Sequence, residues 1–152
     1  MIRALVDTNV LIDFLARRQP FYSDARRLMA FAYMGDYELW MSASQVTDIF
    51  YILSHGGRKG EADAARAALR ALRQDVRVYA PGEDDVDAAI DSAWPDFEDA
   101  LVYQAAARIG ARVIVTRDGE GFSSSPIRTL DVPGFFEWMQ GHAHVAYEEI
   151  RF

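Results

Sequence analysis

At 152 residues the chain has material for one domain, and 51% hydrophobic against 26% charged residues describe a globular protein with a sizeable core. It has no cysteine, so disulfides and thiolate metal sites are excluded, and a metal would have to be held by oxygen or by the three histidines. A net charge of −7 argues against passive binding of nucleic acid through its phosphates, but it suits clustered carboxylates that a cation offsets.

Residues 2–6 read as a short buried strand, and Asp7 or Thr8 can cap a helix that runs to about Arg17. Pro20 opens a second helix to Met34, ended by Gly35, and Tyr37 to Met41 reads as the second strand. Ser42 or Ser44 caps a helix through Leu53, closed by Gly56-Gly57, and residues 61–74 form a helix rich in alanine, leucine and arginine. Val76 to Tyr79 is a third strand, broken by Pro81-Gly82. Helices are expected over 84–93 and 96–109, a strand over Arg112 to Thr116, a last short strand over Ile127 to Leu130, and a last helix over Pro133 to Gln140. No apolar stretch approaches the ~18 residues of a membrane helix, and MIRALVDTN does not have the form of a signal peptide, so a cytoplasmic protein without membrane contact is expected.

Strands alternating with helices imply a parallel sheet covered on both faces, an α/β/α sandwich of three layers and about five strands. Residues 1–140 form the single domain, and 141–152 form a tail that is either an extra strand or disordered. In such sheets ligands bind beyond the carboxyl ends of the strands. Asp7 follows the first strand there, and Arg117-Asp118 follow the fourth. Asp48 lies near the start of the helix after the second strand. Asp99 starts the helix that feeds the fourth strand, with Asp96 one turn before it. Taken singly, each acid has a structural reading as a cap or a partner of the helix dipole. Taken together, repelling carboxylates beside apolar stripes call for a cation, and hard oxygen ligands select Mg²⁺ or Mn²⁺.

The stretches LVDTNVLID, SQVTDIFYIL, DFEDALVYQAAARIGARVIVTRD and IRTLDVPGFFEWM resemble the PIN domain family, most of all the VapC toxins of type II toxin–antitoxin pairs. The resemblance implies that Asp7, Asp48, Asp99 and Asp118 are the catalytic carboxylates, with Asp7, Asp96, Asp99 and Asp118 around the metal. It implies that Thr8, Asn9, Ser44 and Thr116 orient carboxylates or water. It implies a metal-dependent endoribonuclease that cuts single-stranded RNA to 5′-phosphate and 3′-hydroxyl ends, an antitoxin partner and a homodimer. Two positions depart from the family pattern: Asp48 stands where glutamate is commoner, and Gly121 stands where many relatives carry an acid before the phenylalanine.

For substrate, Arg117 beside Asp118 is the basic residue expected nearest the site, with a structural ion pair as its competing role. The pairs Arg17-Arg18, Arg26-Arg27 and Arg58-Lys59 are further candidates, while Arg66, Arg70, Arg73 and Arg77 read as a solvated helix face. Aromatic residues dense in the first third, Phe14, Phe21, Tyr22, Phe31, Tyr33, Phe50 and Tyr51, suit core packing and a protein interface, with stacking on bases as the competing role. A catalytically silent binding module and a stand-alone RNA-processing nuclease are the competing functions. A phosphatase with an aspartate nucleophile is set aside, because Asn9 occupies the place of its second acid.

Overall fold

The computed structural model describes residues 1–143 and Tyr147. Its elements are β1 (Arg3–Val6), α1 (Thr8–Leu15), α2 (Tyr22–Tyr33), β2 (Glu38–Ser42), α3 (Ala43–Leu53) and α4 (Lys59–Asp75). They continue with β3 (Val76–Tyr79), α5 (Glu83–Ile90), α6 (Phe97–Arg108), β4 (Val113–Val115), β5 (Arg128–Leu130) and α7 (Val132–Ala143). Residues 141–143 thus belong to α7 rather than to a tail, and the expected extra strand beyond them lies outside the described residues apart from Tyr147. No helix among the described residues is long and apolar enough to cross a membrane.

The five strands pair in parallel in the order β3-β2-β1-β4-β5. Side chains alternate across the sheet, as the period of two demands. Ala4, Val6, Leu39, Met41, Val113 and Val115 enter a core shared with α1, α2, α3, α4 and α7. Leu5, Ile114 and Trp40 face the opposite way, towards Val102, Ala105 and Ala106 of α6. Near-continuous apolar strands follow from this two-sided burial.

Ala105 and Ala106 of α6 pack on Leu5 and Ile114 of the sheet, and the N-terminus of α6 lies at the carboxyl edge of β1 and β4, where Asp96, Glu98 and Asp99 share a cleft with Asp7 and Asp118. Strand order places β1 at the centre, with β2 and β3 on one side and β4 and β5 on the other. The chain reverses its direction of winding between β1 and β4, and a crevice opens at that switch point.

Candidate active site

Asp7 leaves β1 at the crevice and caps α1. Its Oδ1 accepts from the Thr8 amide at 2.7 Å. Its Oδ2 accepts from the Thr116 hydroxyl at 2.6 Å and from Asn9 Nδ2 at 2.9 Å. Thr116 Oγ1 also accepts from the Asp118 amide at 2.9 Å, so the turn after β4 is tied to the turn after β1. The pairing of β1 with β4, Val6 opposite Val115, brings these two turns side by side. Asp7 is 7% exposed, and burial raises its pKa against the hydrogen bonds from Thr116 and Thr8 that lower it.

A cleft of about 580 Å³ opens over Asp7. Asp48 of α3 lines it, together with Asp118 and three acids at the start of α6, Asp96, Glu98 and Asp99. Asp96 caps α6, its Oδ1 accepting from the Asp99 amide at 3.0 Å. Burial first, and then the charges of Asp96, Asp7 and Asp118, push Asp99 up to about 6. Burial first, and then Asp48, push Glu98 up to about 7. No ion pair among the described residues reaches any of these acids. Their repulsion is therefore answered by no cationic side chain in contact with them.

The structure brings together Asp7, Asp48, Asp96, Asp99 and Asp118, all five acids expected at the site. It adds Glu98, which the reading of the sequence missed. The signal was present: an acidic cap and two acids in the first turn of one helix, at the end where the other acids gather. Gln45 was missed as well. It is fully buried, donating to Val6 O at 3.0 Å and to Thr8 Oγ1 at 3.1 Å, while its Oε1 accepts from the Ser42 amide at 2.7 Å. Thr8 Oγ1 in turn lies 3.5 Å from Glu98 Oε1.

Two expectations change. Ser42, not Ser44, caps α3, and the Ser44 hydroxyl bonds to Ser42 Oγ at 2.8 Å, so it orients the cap rather than a carboxylate. Arg117 is committed away from the cleft. Its Nε and Nη2 meet the two carboxylate oxygens of Asp13 at 2.6 and 3.2 Å, and its guanidinium lies 4.0 Å from the centre of the Phe21 ring. The ion-pair role wins because Asp13, 1% exposed inside α1, needs a cation and Arg117 is the one that reaches it. His55 pairs with Glu61, and His142 stacks on Trp138, far from a ligand role. His144 lies outside the described residues.

Gly121 marks the tightest point of the cluster. A Cβ there would lie 2.7 Å from Asp99 Oδ2 and 2.9 Å from Asp118 Oδ2. The missing side chain leaves a small cradle between two carboxylates. As the side chains stand, no group of three acids among the described residues already encloses one ion. The donor set is nonetheless that of a hard divalent cation: carboxylate oxygens only, crowded, and held by neutral hydrogen-bond donors.

The PIN domain family model matches residues 3–120. Ribonuclease VapC1 of Aquifex aeolicus is 24% identical over 140 residues, which is 89% of this chain and 94% of that protein. Among solved structures, the Mycobacterium tuberculosis toxin VapC20, described as cleaving the sarcin-ricin loop, aligns with a TM-score of 0.61 at 20% identity, over 80% of this chain and 94% of its own. DNA-bound VapBC from Salmonella typhimurium aligns with a TM-score of 0.63 at 14% identity, over 86% of this chain and 98% of its own. At those identities the two structures share the fold.

Proposed function

The chain belongs to the PIN domain family, and from that premise we propose that it is a Mg²⁺- or Mn²⁺-dependent endoribonuclease acting on single-stranded RNA, the toxin of a type II toxin–antitoxin pair. The observation that carries the reading is the open cleft lined by six carboxylates at the switch point of the sheet, with no ion pair on any of them among the described residues. An antitoxin and a second copy of the chain are the protein partners that this reading supplies, the first in keeping with the description of VapC20 as a toxin.

Asp7, Asp99 and Asp118, with Asp96 beside them, would hold the ion. A divalent cation in such a cluster activates water and stabilises charge on the phosphoryl oxygens. The protein's own part is positioning. Three donors hold Asp7 in one orientation, two of them neutral side chains that leave its charge intact. The Thr116 hydroxyl links Asp7 to the Asp118 turn, so the carboxylates of two strands move as one unit. Asp48 and Glu98 extend the acidic wall from α3 and α6.

The test is Asp7→Asn, which keeps an acceptor for Thr116 and removes the charge. Divalent-dependent cleavage of single-stranded RNA falls at least about a hundredfold, while the circular-dichroism spectrum is unchanged. Undiminished cleavage refutes the site. A silent binding module is distinguished by calorimetry, since it takes up no Mg²⁺ or Mn²⁺ near neutral pH.

A further inference from the structure

The cleft has a second wall that the carboxylates do not explain. Tyr51 and Ile52 follow Asp48 by three and four residues on α3, and so share its face of the helix. Both line the cleft, yet they are 52% and 43% exposed. Tyr51 is nonetheless propped in place. Its ring meets Phe50 edge-on with centroids 5.3 Å apart, and a Cβ on Gly57 would lie 3.3 Å from Tyr51 Cε1. Gly57 has a φ of 84°, so the turn after α3 comes that close only because it is glycine.

Arg18, in the connection between α1 and α2, is the basic residue among those lining the cleft. Its side chain enters no ion pair, hydrogen bond or ring contact among the described residues. Arg117 and Arg66, by contrast, are held by Asp13 and Asp63. An uncommitted guanidinium and a half-exposed ring on the rim of an acidic cleft are complementary to a single nucleic-acid strand. The strand brings phosphates that an acidic cleft would otherwise repel, and bases whose faces stack on aromatic rings.

We infer that Arg18 and Tyr51 grip the substrate strand, Arg18 on a phosphate flanking the scissile one and Tyr51 stacked on a neighbouring base, with Ile52 beside it as apolar support. The inference rests on the reading of the cleft as a ribonuclease site. It assigns the phosphate contact to Arg18 in place of Arg117.

The experiment uses a fluorescently labelled single-stranded RNA with the full chain. In the Asp7→Asn protein, binding is followed by anisotropy over a series of salt concentrations. Arg18→Ala weakens binding and lowers the slope of log affinity on log salt by about 0.7, the value for one phosphate on a single strand. Arg18→Lys restores the slope. Tyr51→Ala weakens binding about tenfold, and Tyr51→Phe, which keeps a stacking face, restores it. In the otherwise unchanged enzyme, both alanine variants raise KM and leave kcat within about threefold, as expected for a binding interaction remote from the reacting bond. If the unaltered chain cleaves RNA and both alanine variants keep its KM and affinity, the grip is overturned and the nuclease reading stands. The wall then serves a protein partner. If the unaltered chain neither binds nor cleaves RNA, both fall together.

Discussion

Asp85 and Asp7 both lie just beyond strands of one sheet, and both are buried, at 2% and 7% exposure. Their surroundings differ. Asp85 accepts from the Gly82 amide at 2.9 Å, from the Tyr79 hydroxyl at 2.7 Å and from Arg108 Nε at 2.7 Å. The Gly82 amide first, and then the Tyr79 hydroxyl, hold its pKa below the usual carboxylate range. Around Asp7 the neighbours are more acids, and Asp7, Glu98 and Asp99 are all pushed upward. An acid given donors and a cation by its own chain is fastening the fold. Acids that face one another leave the fold carrying their repulsion, which under the proposed reading a cation from outside relieves.

The sharpest way to break this contrast is to neutralise one member of each set. Asp99→Asn lowers kcat/KM on RNA at least about a hundredfold, whereas Asp85→Asn leaves it within about threefold. Stability moves the other way. Urea unfolding shows Asp85→Ala losing about 2 kcal/mol, the cost of charge-assisted bonds and a helix-end contact. The same measurement in chelator shows Asp99→Asn slightly more stable than the unaltered chain. A loss of cleavage equal in both variants would erase the distinction.

A smaller effect separates the two sets by pH. Glu98 and Asp99 have folded pKa values of about 7 and 6, above the values of about 4.3 and 3.9 in an unfolded chain. The folded state therefore binds more protons in that window. Their contribution to stability is fully present below the unfolded values and is lost as pH rises through about 6 to 7. Asp85 has the opposite sign: its contribution is present above the unfolded value and is lost as pH falls through its lowered folded one. Melts in chelator from pH 8 to pH 5 thus show Tm rising by a few degrees, at about 2–4 °C per kcal/mol for a chain of this size. Saturating Mg²⁺ removes most of the rise, because the ion stabilises the ionised cluster at the upper end. A Tm that is flat in chelator overturns the assignment of the repulsion. The smallest effect is at Gly121. Gly121→Ala crowds the Asp99 and Asp118 oxygens, which can swing aside, so Mn²⁺ affinity measured by calorimetry falls only about tenfold and the fold is kept.

The acids that follow strands were legible in the sequence because a parallel sheet puts all its strand ends on one edge. Asp7 and Asp118 then meet because β1 and β4 are neighbours in that sheet. Elements bounded by strong punctuation also read well: β3 spans Val76–Tyr79 as expected, between an alanine-rich helix and Pro81. Contacts between distant elements were not legible. Nothing near Asp13 announces that Arg117, 104 residues on, will pair with it and so be withdrawn from the cleft. Glu98 was hidden for another reason. Helical spacing sets it off the face of Asp96 and Asp99, but at the first turn of α6 all three side chains lie at the mouth of the same cleft.

The central place of β1 has a consequence for the order in which the carboxylate edge is assembled. The hydroxyl that fixes Asp7 belongs to Thr116, 109 positions later in the chain. A chain that ends between α6 and β4 has Asp7, Asp48 and Asp99 but lacks the strand that pairs with β1 on the side away from β2. Such a chain lacks both the hydroxyl that fixes Asp7 and the Asp118 carboxylate. The full set of carboxylates meets only when β4 pairs beside β1, a contact between strands far apart in the chain.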